Sequence, residues 1–121
     1  MKRREVGILG ERIARSFLEE NGYDIVETNY RCPEGEIDLV VRQDDLLIFV
    51  EVRTRRGIGT GTPEESITPL KKQRLTAAAE HYGQHREGLP AARRIDVVAI
   101  RMKHDGRVSR IELIENAVDG F

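Results

Sequence analysis

The residues best suited to chemistry are two carboxylates, Asp38 and Glu51, each set in an apolar, strand-like run. The first run is Glu36-Ile37-Asp38-Leu39-Val40-Val41-Arg42 and the second is Leu46-Leu47-Ile48-Phe49-Val50-Glu51-Val52-Arg53. Gln43-Asp44-Asp45 separates them, and Asp tolerates turn conformations. A hairpin centred on Asp44-Asp45 makes Val40 face Phe49, Asp38 face Glu51 and Glu36 face Arg53. One face then carries Ile37, Leu39, Val41, Leu46, Ile48, Val50 and Val52, all apolar. A slip of one residue would put the two carboxylates on opposite faces, so the hydrophobic pattern supports the register independently.

Carboxylates placed directly across an antiparallel pair have Cβ atoms roughly 5 Å apart and destabilise it. A hard divalent cation reverses the sign of that interaction. Magnesium, for which manganese can stand in, takes oxygen ligands at about 2.1 Å and is commonly held by one or two carboxylates, waters and substrate phosphate. Asp38 and Glu51 each offer one oxygen, and the backbone carbonyl of Val52 offers a third. Such a cation activates water and neutralises charge on a phosphodiester. The competing reading is a pair of solvated carboxylates at strand ends. Arg53 shares the strand face of Glu51 and suits phosphate orientation or charge stabilisation through its planar fork. It is excluded as a general base, because guanidinium stays protonated in proteins. A Glu36–Arg53 cross-strand ion pair is its plain structural alternative.

The elements that must position these groups follow from periodicity. Val6, Leu9, Ile13 and Phe17 predict a helix over 4–21, with Asn21-Gly22 as its stop. Residues 23–30 read as a first strand, followed by the hairpin and a glycine-rich loop over 54–67. Thr68 as N-cap and Pro69 at the first helical position start a second helix that runs to about Tyr82. Residues 95–100 and 108–114 are further strands around a His104-Asp105-Gly106 turn. The order α-β-β-β-α-β-β suits a mixed sheet flanked by helices, and the apolar residues on both faces of the hairpin require cover on both sides.

The 121 residues fit a single domain, with 39% hydrophobic and 34% charged residues, as in a folded globular chain. The basic start Met1-Lys2-Arg3-Arg4-Glu5 lacks a following apolar core, and no run is long enough to span a membrane, so neither an export signal nor a membrane role is expected. One cysteine, Cys32, forbids an internal disulfide, and a cytoplasmic location is expected. The net charge of −1 excludes nucleic-acid binding by bulk positive charge. Local patches remain: Arg55 and Arg56 extend the cluster of Arg53, and Lys71, Lys72 and Arg74 occupy the first turns of the second helix. Together they are expected to follow a phosphate backbone if that helix lies beside the hairpin. Ordinary solvated charge is the alternative for each. His81 and His85 have the spacing of a helical metal pair but no evident third ligand, and Cys32 has no neighbouring motif. With three Tyr, three Phe and no Trp, no base-stacking platform is expected.

Leu9-Gly10-Glu11-Arg12-Ile13-Ala14, Asn29-Tyr30-Arg31, Gly35-Glu36-Ile37-Asp38-Leu39-Val40 and Phe49-Val50-Glu51-Val52-Arg53-Thr54-Arg55, with the later strand Arg94-Ile95-Asp96-Val97-Val98-Ala99-Ile100, resemble the YraN family of uncharacterised bacterial proteins. That family is similar to the restriction-endonuclease-like superfamily, which includes Holliday-junction resolvases. The resemblance implies that fold, nucleic acid (above all DNA) as partner, and magnesium or manganese as cofactor. It puts the signature aspartate on Asp38, the glutamate on Glu51, the lysine position on Arg53 and a helix carboxylate on Glu11. Arginine in place of lysine departs from the pattern and bears on catalysis more than on fold. Three functions follow as candidates: a metal-dependent nuclease, a non-catalytic nucleic-acid-binding module, and a protein-interaction module. A two-fold dimer would suit a symmetric junction.

Overall fold

The computed structural model describes residues 1–59 and 61–121. Helix α1 (Arg3–Glu20) opens the chain. Its entry is fixed by the Glu5 carboxylate, which accepts the backbone N–H of Lys2 at 3.3 Å. Its exit is the expected one: Gly22 takes a φ of +86°, a left-handed conformation that costs glycine little. Strands β1 (Asp24–Cys32), β2 (Gly35–Gln43) and β3 (Leu46–Arg56) follow as two tight hairpins. The second turns at Asp44-Asp45, and Asp44 supplies the left-handed residue with φ +53°. A 3-10 turn, Glu64–Ser66, precedes α2 (Pro69–Gln84). Thr68 caps α2 as read from the sequence, accepting the Lys71 N–H at 3.1 Å. Strands β4 (Ala92–Met102) and β5 (Val108–Ile114) complete the chain. Thr60, which the sequence puts in the loop before α2, lies outside the described residues.

The five strands lie in sequence order, β1-β2-β3-β4-β5. All neighbours are antiparallel except β3 and β4, which run parallel and are joined by the α2 crossover. The order α-β-β-β-α-β-β and the five-stranded mixed sheet are those expected. The hairpin register is also as read, with Val40 opposite Phe49. β3 runs on to Arg56 because its parallel pairing with β4 continues to Arg56↔Met102, a partner the local sequence does not reveal. No described helix is long and apolar enough to cross a membrane.

Each sheet face has its own helix. On one, Ala14 and Leu18 of α1 pack with Leu39, Val41, Ile48, Val50, Val98 and Ile100. On the other, Ala78, Ala79 and Tyr82 of α2 pack with Val40, Leu47, Phe49 and Ile95. Ile37 corrects the strict alternation: it joins the α2 cluster with Tyr30, not Leu39 and Val41. The pleat is interrupted between Ile37 and Leu39, where β2 and β3 stop pairing.

Gly10 lets α1 lie close to β3. A Cβ there would stand 2.0 Å from Thr54 Oγ1, whereas one at Gly7 would meet nothing within 4 Å. Gly10→Ala is therefore expected to destabilise the fold by about 1–3 kcal/mol through overpacking. Gly7→Ala should be neutral or stabilising by up to about 1 kcal/mol through helix propensity. Urea denaturation of the two variants checks both signs.

Candidate metal and nucleic-acid site

The β2–β3 ladder runs from Gln43↔Leu46 to Leu39↔Val50 and stops. Immediately beyond it, the Asp38 carboxylate accepts the backbone N–H of Val52 at 2.8 Å. The side chain takes the place of a strand carbonyl, and β2 leaves β3 at that point while β3 stays paired to β4. Between the pairs Thr28↔Leu39 and Tyr30↔Ile37 lies Asn29, with a φ of +53° that is uncommon outside glycine. Its Nδ2 donates to Glu11 Oε1 at 2.8 Å, tying the half-buried carboxylate of α1 to the sheet beside Asp38.

Glu51 is 3% exposed. Its Oε2 lies 3.4 Å from Arg53 Nε and 3.5 Å from Lys71 Nζ. Burial, then a hydrogen bond and charge repulsion from Asp38, push its carboxyl up to about 8, against the pull of Lys71 and Arg53. The two acids thus lie close enough to interact, although the paired ladder stops one residue short of them. The Glu36–Arg53 pair does not form. With β2 and β3 parted, Glu36 Oε2 lies 3.6 Å from Arg31 Nε instead, and Arg53 turns to Glu51. Arg53 Nε is buried and makes no hydrogen bond.

Asp38 and Arg53 open onto a cleft of about 920 Å³. α1 contributes Arg3, Arg4, Gly7 and Glu11, β1 contributes Asn29 and Arg31, and β3 contributes Val52 to Arg56. Arg55 and Arg56 line it beside Arg53. Of the three basic residues of α2, only Lys71 reaches the acidic pair. Lys72 lines a separate groove with Gln73, Thr76 and Glu80. Arg74 faces the β1–β2 turn, where a Cβ on Gly35 would sit 3.0 Å from its carbonyl oxygen. Helical geometry turns Lys72 away from Lys71, since adjacent residues do not share a face, while Arg74 lies nearly one turn further along α2. Arg3, Arg4, Asn29 and Arg31 are cleft residues that motif reasoning did not assign. Asn29 and Arg31 stood within a segment of the family resemblance, and Arg3-Arg4 was visible only as a basic start.

The sequence profile described as "Uncharacterised protein family UPF0102" matches residues 10–100. The chain belongs to this family. It is 48% identical over 118 residues to a UPF0102 protein of Dehalococcoides mccartyi, covering 96% of this chain and 94% of the relative. A UPF0102 protein of Moorella thermoacetica is 43% identical over 117 residues, with 97% and 98% covered. One of Caldicellulosiruptor saccharolyticus is 39% identical over 117 residues, with 97% and 99% covered. The matched region of the UPF0102 family contains Glu11, Asp38, Glu51, Arg53 and Lys71, but not Arg3 and Arg4.

The raised Glu51 carboxyl has a definite sign for stability. Folded, it keeps its proton up to about pH 8, and unfolded only to its ordinary 4.5. Between those values the folded chain binds more protons, so this group's contribution to stability falls as pH rises. Glu51→Gln should therefore be more stable than wild type near pH 8, with the gap closing towards pH 5 in urea titrations. Parallel stability curves for the two proteins would contradict the assignment.

Proposed function

We propose that this UPF0102 protein is a nuclease-type domain that uses a divalent metal and binds nucleic acid, DNA foremost, along the arginine-lined cleft, hydrolysing a phosphodiester there. The observation that carries the reading is the proximity of Asp38, which lines that cleft, to Glu51 buried behind it. Adjacent carboxylates in a poorly hydrated setting oppose folding unless a proton or a cation intervenes.

The donor set fits magnesium or manganese: Asp38, Glu51 and the Val52 carbonyl are all hard oxygens. When bound, the cation would activate water and neutralise charge on the scissile phosphate. Glu51 would release its proton as the metal arrives. Arg53 has a buried Nε without a hydrogen-bond partner, which suits a phosphate oxygen, and its permanent charge suits stabilisation rather than proton transfer. Glu11, held by Asn29, stands on the α1 side of the same cleft. Arg3, Arg4, Arg31, Arg55 and Arg56 supply contacts to the backbone on either side. A cytoplasmic location suits such an activity, and a two-fold dimer would suit a branched substrate.

A second reading has its own support. Arg53 and Lys71 both stand near Glu51 and partly neutralise it, as a non-catalytic nucleic-acid-binding module would need in place of a metal. Calorimetric titration with magnesium and manganese, on wild type and Asp38→Asn, separates the two. The nuclease reading expects a single site that is lost or weakened at least about tenfold in the variant. It also expects metal-dependent cleavage of at least one member of a panel of single-stranded, duplex and branched DNA and RNA. Absence of metal binding, with salt-dependent nucleic-acid binding unchanged in Asp38→Asn, would select the non-catalytic module. In either case Arg55→Ala should weaken binding across all sequences and lower the salt slope by about one.

A further inference from the structure

A second cluster lies where the β1–β2 turn meets α2. Cys32 ends β1, Glu34 sits in the two-residue turn, and His81 comes from the last turn of α2. One donor atom from each, the Cys32 sulfur, a Glu34 carboxylate oxygen and a His81 ring nitrogen, all lie within 4.8 Å of one another. None of the three lines the arginine cleft. The sequence pairs His81 with His85 and leaves the pair without a third ligand. The structure instead brings His81 to Cys32 and Glu34.

We propose that Cys32, Glu34 and His81 form a binding site for a borderline-soft divalent metal, zinc above all, with one coordination position open. The donor chemistry differs from that of the cleft. Thiolate, imidazole and carboxylate select zinc, where an all-oxygen set suits magnesium. Zinc takes sulfur at about 2.3 Å and nitrogen at about 2.0 Å, so tetrahedral donors stand about 3.5 Å apart. Closing from 4.8 Å needs shifts of about 1 Å, within the freedom of the exposed Glu34 side chain and the half-buried Cys32.

The surroundings already orient the histidine. His81 Nδ1 hydrogen-bonds the Tyr30 phenol, which leaves Nε2 as the ring nitrogen free to bind metal. His85 stacks on the His81 ring with centroids 3.9 Å apart and holds its plane. Metal-bound histidines commonly have just such a partner on the second nitrogen, and it fixes the tautomer. Pro33 restricts the backbone between Cys32 and Glu34, so the turn presents both donors with little freedom to lose. Cys32 is a free thiol whose proton passes to solvent when metal binds. The bound metal would tie the β1–β2 turn to the second half of α2.

The test uses the reduced, metal-free full chain and cobalt as a spectroscopic substitute for zinc. One equivalent of cobalt should give a thiolate-to-cobalt charge-transfer band that zinc displaces, and zinc should slow alkylation of Cys32. His81→Gln should abolish the band, and Tyr30→Phe should weaken zinc binding by about 10–100-fold. Asp38→Asn should leave the band unchanged, which separates this site from the cleft. No thiolate band with cobalt, together with Cys32 alkylation indifferent to zinc, would overturn the proposal in wild-type protein alone. A band that survives in His81→Gln would overturn the ligand assignment.

Discussion

The bond from the Val52 N–H to the Asp38 carboxylate is the constraint on which the rest of the structure depends. A backbone donor shielded from water must find an acceptor. Where the β2–β3 ladder ends, a charged side chain supplies it in place of a carbonyl, and such charge-assisted bonds are the stronger kind. The exchange has three consequences. It fixes the Asp38 carboxylate between two strands, it lets β2 part from β3 while β3 stays with β4, and it shifts Ile37 to the opposite core. The cleft occupies the space this parting leaves beneath the first turns of α1.

Charge in this protein is segregated rather than scarce. The net charge is −1, yet the cleft gathers six arginines and two carboxylates. Elsewhere arginines are consumed by local partners. Arg94 makes two 2.8 Å bonds to fully buried Asp96, and Arg110 bonds both oxygens of Glu64, whose carboxyl that contact lowers to about 2. Among the described residues Arg3, Arg4 and Arg55 make no ion pair. A near-neutral total therefore says little about a local field, which depends on which charges are already neutralised.

Helix α2 links two chemically different regions. Its N-terminal half brings Lys71 to Glu51, and about 15 Å further along its axis His81 meets Cys32 and Glu34. The first region is built from hard oxygens and cations, the second from sulfur, nitrogen and oxygen. Gly10 and Gly35 permit the close approaches that bring the helices onto the sheet, at Thr54 for α1 and at Arg74 for α2.

The sequence by itself determined what depends on neighbours along the chain. The Asp44-Asp45 turn and the alternation around it set the β2–β3 register as far as Leu39↔Val50, one pair short of Asp38 and Glu51. Asn21-Gly22 and Thr68-Pro69 set helix ends, because capping acts within one turn. Tertiary structure decided where pairing stops and what comes from far away. It turned Asp38 to a backbone donor rather than to bulk water. It set Lys71, and not Lys72 or Arg74, against Glu51, and it brought Arg3 and Arg4 to the cleft. It also joined His81 to a cysteine 49 positions earlier (81 less 32). Periodicity records which face of an element is buried, but not which element covers it, and each of these contacts is made by a covering element.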